Sequence, residues 1–217
     1  MSHPAWSLIR SAYCLNLDTN PKRWDECVPE FIKVGIDYVE RIITHADEGD
    51  ARYLSFNKAH YDAIKRGYDT GEPFIIFEDD IAFDRDWKKL EEATVQLLAL
   101  CPNWDLFYIG ANITGYDTCE WQMPQKVSPN IVRVYNAWMT HAIIYSNKMA
   151  KWVLDNFNPD TFPVYDEWLR VNAMPVREVY MCTPMICYQR PGYSDVSLAQ
   201  VAYGSHPEGN KWMRENL

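Results

Sequence analysis

The chain has 217 residues and 25.4 kDa, enough for one domain whose core buries roughly 70% of the unfolded surface. With 47% hydrophobic and 24% charged residues it is neither disordered nor fibrous. Thirty acids against 21 bases leave a net charge of −9, which disfavours a nucleic-acid partner, because Lys65-Arg66 and Lys88-Lys89 are isolated basic pairs rather than a patch.

Nine Trp, fourteen Tyr and eight Phe exceed the needs of one core, so some rings are expected to line a cleft. The cysteines at 14, 27, 101, 119, 182 and 187 form no CxxC pair and no zinc-finger spacing, and are read as reduced thiols. Residues 1–10 lack the basic start and apolar stretch of a signal peptide, and no run of 18 apolar residues occurs. The expectation is a cytoplasmic, soluble protein without a membrane span.

In chain order, Ala12 to Leu17 is an apolar strand ending in the turn Asp18-Thr19-Asn20, and Pro21 sits at the first position of a helix. That helix carries Trp24, Cys27, Val28 and Phe31 on one face and stops before Gly35, with Pro29 as a potential kink. Tyr38 to Ile43 is a second strand. Ser55 reads as the N-cap of a helix with Phe56, Ala59, His60, Ala63 and Ile64 at i, i+3, i+4, i+7 and i+8, ending at Gly67.

Phe74 to Phe77 is an all-apolar strand, expected to be buried on both faces, and it runs straight into Glu78-Asp79-Asp80. A helix from Trp87 to Cys101 and a strand from Leu106 to Ile109 follow. The alternation predicts an α/β fold with a mostly parallel sheet flanked by helices, with ligands bound beyond the carboxyl ends of the strands. Thr114 to Asn130 reads as a long polar loop. Strands at Ile131–Tyr135 and His141–Tyr145, a Ser146-capped helix through Phe157, a short helix over Asp166–Val171, a strand near Val179–Cys182 and an irregular tail complete the chain. His141 is expected to be a satisfied core group.

Three carboxylates at a buried strand end raise one another's pKa unless a cation neutralises them. In an extended chain Glu78 and Asp80 point to the same side and share one hard cation, Mg²⁺ or Mn²⁺, while Asp79 faces elsewhere. Asp84 and Asp86 lack the spacing of an EF-hand loop and read as a helix-start cluster.

Leu15-Asn16-Leu17-Asp18 with Lys22-Arg23 and Gly35-Ile36, then Phe77-Glu78-Asp79-Asp80, Trp104 to Gly110, Ala142 to Ser146, Val164-Tyr165-Asp166 and Gln189 to Ser194-Asp195-Val196 stand in collinear order. Over residues 12–197 this set resembles glycosyltransferase family 25, which includes lipooligosaccharide and collagen hydroxylysine galactosyltransferases. The resemblance implies one glycosyltransferase domain over 1–217 with a GT-A fold, a nucleotide-sugar donor such as a UDP-hexose, a divalent metal and inversion at the anomeric carbon. Residue by residue it places Asn16, Leu17, Asp18, Arg23, Lys58 and Asp79 at the donor and Glu78 and Asp80 at the metal. Where the family tends to have Ser-His, this chain has Ser55-Phe56, with Lys58 as the substitute phosphate ligand or a solvated helix lysine. C-terminal loops of some GT-A enzymes place a histidine on the metal, which points to His206 or leaves it a surface residue. Asp166, with Glu167 in reserve, is the general base matching the family's aspartate, or a helix N-cap.

The acceptor is a hydroxyl on a glycan, a protein or a modified base, the last disfavoured by charge. Trp121 reads as an acceptor platform or as a loop anchor. The competing reading from another class is an inactive GT-like domain that binds a nucleotide-sugar or glycan. A nucleotidyltransferase lacks support, since no Gly-rich phosphate loop follows the first strand.

Overall fold

The computed structural model describes residues 3–45, 51–113, 123–161, 163–194 and 199–201. In chain order its elements are β1 (Ser11–Leu17), α1 (Pro21–Lys33), β2 (Glu40–Thr44), α2 (Ala51–Asp69), β3 (Phe74–Glu78), β4 (Ile81–Phe83), α3 (Lys89–Leu100), β5 (Leu106–Ile113), β6 (Gln125–Ser128), β7 (Ile131–Arg133), β8 (Ala137–Tyr145), α4 (Asn147–Asn156), α5 (Tyr165–Trp168), β9 (Val179–Cys182), β10 (Cys187–Gln189), β11 (Gly192–Ser194) and β12 (Ala199–Val201).

The main sheet has the order β2-β1-β3-β8-β5-β9-β7-β6. Strands β1, β2 and β3 run parallel, β5 and β9 run parallel, and β8 enters antiparallel between β3 and β5. The α/β class with a mostly parallel sheet is therefore as expected, and the antiparallel β8 and β7 are the elements the alternation did not foresee.

All-apolar β3 is buried on both faces because its side chains alternate between two cores. Ile75 and Phe77 pack with Cys27 and Phe31 of α1 and Leu90, Ala93 and Leu97 of α3. Phe74 and Ile76 pack on the opposite face with Ala59, Ala63 and Ile64 of α2, Met149 and Val153 of α4, and Tyr165 and Trp168 of α5. Cys14, Cys27, Cys101, Cys182 and Cys187 are free and buried, and Cys119 lies outside the described residues. No helix among the described residues is long and apolar enough to cross a membrane.

Helix starts and stops follow local chemistry in α1 and α4. Pro21 begins α1, Gly35 follows its end at φ +73°, and the Ser146 hydroxyl accepts the Met149 N–H (3.2 Å) to cap α4.

Helix α2 departs from expectation at both ends. It begins at Ala51, so Ser55 is an interior, buried residue rather than a cap, and it continues through Gly67 to Asp69. Gly67 does not stop the helix. It lets the helix lie on β3, since a β-carbon there would overlap the buried Phe74 ring; the turn comes at Gly71, φ +76°. Two segments expected to be irregular are also paired: Gln125–Ser128 forms a hairpin with β7, and the tail contributes β10, β11 and β12.

Phe74 is fully buried and stacked on Tyr145 with ring centroids 5.3 Å apart, so it has nowhere to move. Overpacking against it outweighs the roughly 1 kcal/mol that alanine gains over glycine in a helix. Gly67→Ala is expected to lower the unfolding free energy by about 1–2 kcal/mol in a urea titration. A variant as stable as the parent would contradict this packing.

Candidate active site

The carboxyl ends of β1, β2 and β3 open on a crevice of about 110 Å³, walled by Asn16, Leu17, Arg23, Thr44, Glu78, Asp79, Asp80 and, from α2, Arg52, Ser55, Phe56 and Ala59. Gln189 of β10 and Ser194 of β11 close its far side. This is the strand-end location expected for a ligand in an open parallel sheet.

The positive charge that three adjacent acids require comes first from the protein. Arg23, on the first turns of α1, reaches Asp79 Oδ1 at 2.7 Å and Asp80 Oδ2 at 2.8 Å. Asn16 donates to Asp79 Oδ2 and to the Asn20 carbonyl, while its own Oδ1 accepts from Arg41. Gln189 donates to Asp80 Oδ2 (2.7 Å) and Arg190 to the Asp79 carbonyl (3.0 Å).

Glu78 and Asp80, expected on one side of an extended chain, both wall the crevice, but not through strand alternation. β3 ends at Glu78, and Asp79-Asp80 form a turn into β4, so the two-residue alternation does not continue. Arg23 thus joins Asp79 to Asp80, and Glu78 takes different partners.

Asp80 still has an unmet demand. Burial, then the charges of Glu78 and Asp79, push its carboxyl up to about 7 against the pull of Arg23 and Gln189. Its buried Oδ1 accepts no hydrogen bond. A buried anionic oxygen without a donor on a cavity wall fits a hard cation. Among the described residues no three His, Cys, Asp or Glu form a group able to hold a metal.

A second cavity, about 450 Å³, adjoins the first and is walled by Phe56, Glu78, Asn112, Trp138, Met139, Thr140, Val164, Asp166, Gln189 and Ser194. A bulge shapes it. Between the pairs Gly110↔Ala142 and Asn112↔Trp138, β8 sets Met139, Thr140 and His141 against the single Ala111 of β5, and Met139 takes φ 72°. The bulge aims the Thr140 hydroxyl at Glu78 Oε1 (2.6 Å). That hydroxyl has one proton and gives it to Glu78, so its contact with His60 Nε2 (3.3 Å) requires His60 to be the donor. Burial pushes the Glu78 carboxyl up, but His60, through hydrogen bonding and charge, and the Thr140 hydrogen bond outweigh it and hold Glu78 below the ordinary glutamate range. His141 is a core group as expected but not a satisfied one: it is fully buried beside the Cys187 carbonyl, an approach Gly110 permits, neither ring nitrogen makes a hydrogen bond, and burial lowers its pKa.

Asp166 opens α5 on the wall of this second cavity. Burial raises its carboxyl above the usual aspartate range, against hydrogen bonds from the backbone of Glu167 and Met139. It does not cap α5: the N-cap position is Val164, and Asp166 Oδ1 accepts the Glu167 N–H at 2.8 Å. Fully buried Asn57 of α2 places it, donating to the carbonyls of Thr161 (3.0 Å) and Pro163 (3.3 Å) and accepting the Tyr165 N–H (2.8 Å).

The structure thus brings together Asn16, Leu17, Arg23, Glu78, Asp79, Asp80 and Asp166. It does not bring in the rest. Lys58 pairs with Asp160 (3.1 Å), Asp18 with His45 (2.6 Å), whose hydrogen bond holds the Asp18 carboxyl low, and Glu167 with Arg170 (3.7 Å); none walls either cavity. His206, Trp121 and Asp195-Val196 lie outside the described residues. Arg52, Asn57, His60, Trp138 and Thr140 were not assigned from sequence. Trp138 lines the second cavity with the Arg170 guanidinium 4.5 Å over its ring, and its one sequence signal is an aromatic between strand candidates.

No protein-family model and no curated protein matches this chain. Among solved structures it is similar to one described as a glycosyltransferase involved in the glycosylation of the major capsid of PBCV-1 (14% identity, 79% of this chain and 81% of that chain, TM-score 0.40). It is also similar to mannose-1-phosphate geranyltransferase from Thermus thermophilus (7% identity, 80% and 74% covered, TM-score 0.38). At those scores the activity has to be read from the cleft.

Removing the Asn57 amide strands three backbone groups. Asn57→Ala is expected to cost about 3 kcal/mol of unfolding free energy and to speed hydrogen exchange at the Tyr165 amide. Parental exchange at that amide would show that Asn57 does not hold the segment.

Proposed function

We propose that this chain is a metal-dependent inverting glycosyltransferase that moves a sugar, a hexose from a UDP-sugar, to an acceptor hydroxyl. The observation that carries the reading is the pair of adjoining cavities at the strand ends, one with the unsatisfied Asp80 oxygen and two arginines, the other with a raised carboxylate, Asp166. The resemblance to glycosyltransferase family 25 points the same way and assigns the same two aspartates.

In this reading the nucleoside diphosphate lies in the first cavity along Asn16 and Leu17, with Arg23 and Arg52 supplying positive charge. Asp80 would hold Mn²⁺ or Mg²⁺, with water and diphosphate oxygens as the remaining ligands. The metal would neutralise charge developing on the departing diphosphate. The acceptor enters the second cavity, where Asp166 takes its hydroxyl proton as the acceptor oxygen bonds to the anomeric carbon. The bond from that carbon to the diphosphate oxygen breaks, and the diphosphate leaves with the electron pair. Attack from the face opposite the leaving group inverts the centre, through an oxocarbenium-like transition state. Phe56 and Trp138 give that cavity its aromatic walls.

Calorimetry of UDP with Mn²⁺ tests the metal role. Binding is expected to vanish in EDTA and in Asp80→Ala, with the fold retained because Arg23 keeps Asp79 as a partner and the lost carboxylate, in the turn after β3, leaves no core cavity. Unchanged affinity in EDTA would remove the metal from the mechanism.

For the base, Asp166→Asn is expected to cut kcat by roughly 10² to 10⁴ while UDP affinity survives. Only the ionised carboxylate accepts the proton, so activity rises with pH through the Asp166 pKa. Because that pKa is raised, the rising limb of kcat/KM sits above the range of an ordinary aspartate, near 3.9. The limb is expected to disappear in Asp166→Asn. Near-parental turnover in the variant would return Asp166 to a structural role.

A further inference from the structure

Phe56, Glu78, Gln189 and Ser194 wall both cavities. We propose that this shared stretch seats the transferred sugar, with Glu78 accepting a hydrogen bond from one sugar hydroxyl and Phe56 lying against the C–H face. The assignment rests on the glycosyl-transfer reading above and takes Glu78 off the metal.

Position is the first support. With the nucleoside diphosphate in one cavity and the acceptor in the other, the group passed between them has to sit on the wall they share.

The partners of the two acids are the second. Asp80 is held by Arg23 and Gln189, and Glu78 by Thr140 and His60, with no partner in common. Thr140 donates to Oε1 at 2.6 Å, and His60, 3.6 Å from the same oxygen, backs the Thr140 hydroxyl, so Oε1 is the anchored oxygen. Among the described residues no donor takes Oε2, and the side chain keeps 17% of its surface exposed. An anchored carboxylate with one oxygen to spare suits a hydroxyl donor.

The neighbour is the third. The Phe56 ring is fixed edge-on to His60, centroids 4.6 Å apart, so a rigid apolar surface stands beside a rigid acceptor. A pyranose offers the matching pair, an apolar C–H face and a rim of hydroxyls. Thr140 acts on this seat through its bond to Glu78, and His60 through its bond to Thr140, so both are positioning residues.

The test is calorimetry with UDP, UDP-glucose and UDP-galactose in Mn²⁺, on the parent, Glu78→Gln and Thr140→Val. Glu78→Gln is expected to weaken the sugar nucleotide by about 10- to 100-fold, the scale of one hydrogen bond to a charged group. UDP affinity stays within about twofold and remains abolished by EDTA. Thr140→Val shifts the ratio of sugar-nucleotide to UDP affinity in the same direction, which a merely structural role would not do, and reports on the anchor if Glu78→Gln does not fold. A monodeoxy donor lacking the recognised hydroxyl binds the parent as weakly as it binds Glu78→Gln.

Loss of metal-dependent UDP binding in Glu78→Gln would make Glu78 a metal ligand and overturn the assignment. Unchanged sugar-nucleotide affinity would overturn it as well, leaving glycosyl transfer intact. A parent that binds neither UDP nor its sugars would remove the glycosyl-transfer reading and this assignment together.

Discussion

Neutralising three carboxylates at the end of a buried strand is the constraint on which the rest of the cleft depends. β3 is fully apolar up to Phe77 and then presents Glu78, Asp79 and Asp80 with little water to solvate them. Arg23 answers two of the three, and the ties to Asn16, Arg41, Gln189 and Arg190 draw β1, β2 and β10 onto the same turn. Removing one partner of such a buried pair typically costs about 3–5 kcal/mol. The acids therefore organise the strand ends before any substrate arrives, and the buried Asp80 Oδ1 is left without a hydrogen bond.

The third acid is answered by another device. An antiparallel strand between β3 and β5 brings a bulge beside Glu78, and Met139 adopts a left-handed conformation there that costs a non-glycine residue about 1–3 kcal/mol. Strain of that size persists where the surroundings impose it. Here the bulge delivers a hydroxyl to Glu78 and a backbone N–H to Asp166, so one distortion shapes both carboxylates of the second cavity.

Helix α2 connects the two cavities. One stretch of it gives Arg52, Ser55 and Ala59 to the first cavity and Phe56 to both, while buried Asn57 and His60 hold the Asp166 segment and the Glu78 anchor. A substrate that shifts this helix acts on both halves of the site at once. His60 also stacks on Tyr165, centroids 4.9 Å apart, so packing as well as hydrogen bonding ties α2 to α5.

The sequence alone determined the layered α/β fold and the place of the cleft, because both follow from local rules. Period-2 and period-3.6 patterning sets the element types, and an apolar strand ending in acids marks where charge and cavity meet. It also determined that a positive charge had to stand at the three acids, which it assigned to a metal shared by Glu78 and Asp80, and not that Arg23 on α1 would reach Asp79 and Asp80. Helix ends were legible at Pro21, Gly35 and Ser146, where capping is local, and illegible at Ser55, interior to a helix that begins at Ala51, and at Gly67, where the helix lies against Phe74 of β3. What only the tertiary structure decided was the split of the acids: Asp79 and Asp80 turn to Arg23, and Glu78 to Thr140 and His60. That split depends on a strand ending at Glu78, two residues before Asp80, and on a bulge far along the chain. Non-local pairing of this kind leaves no periodicity in the sequence to read.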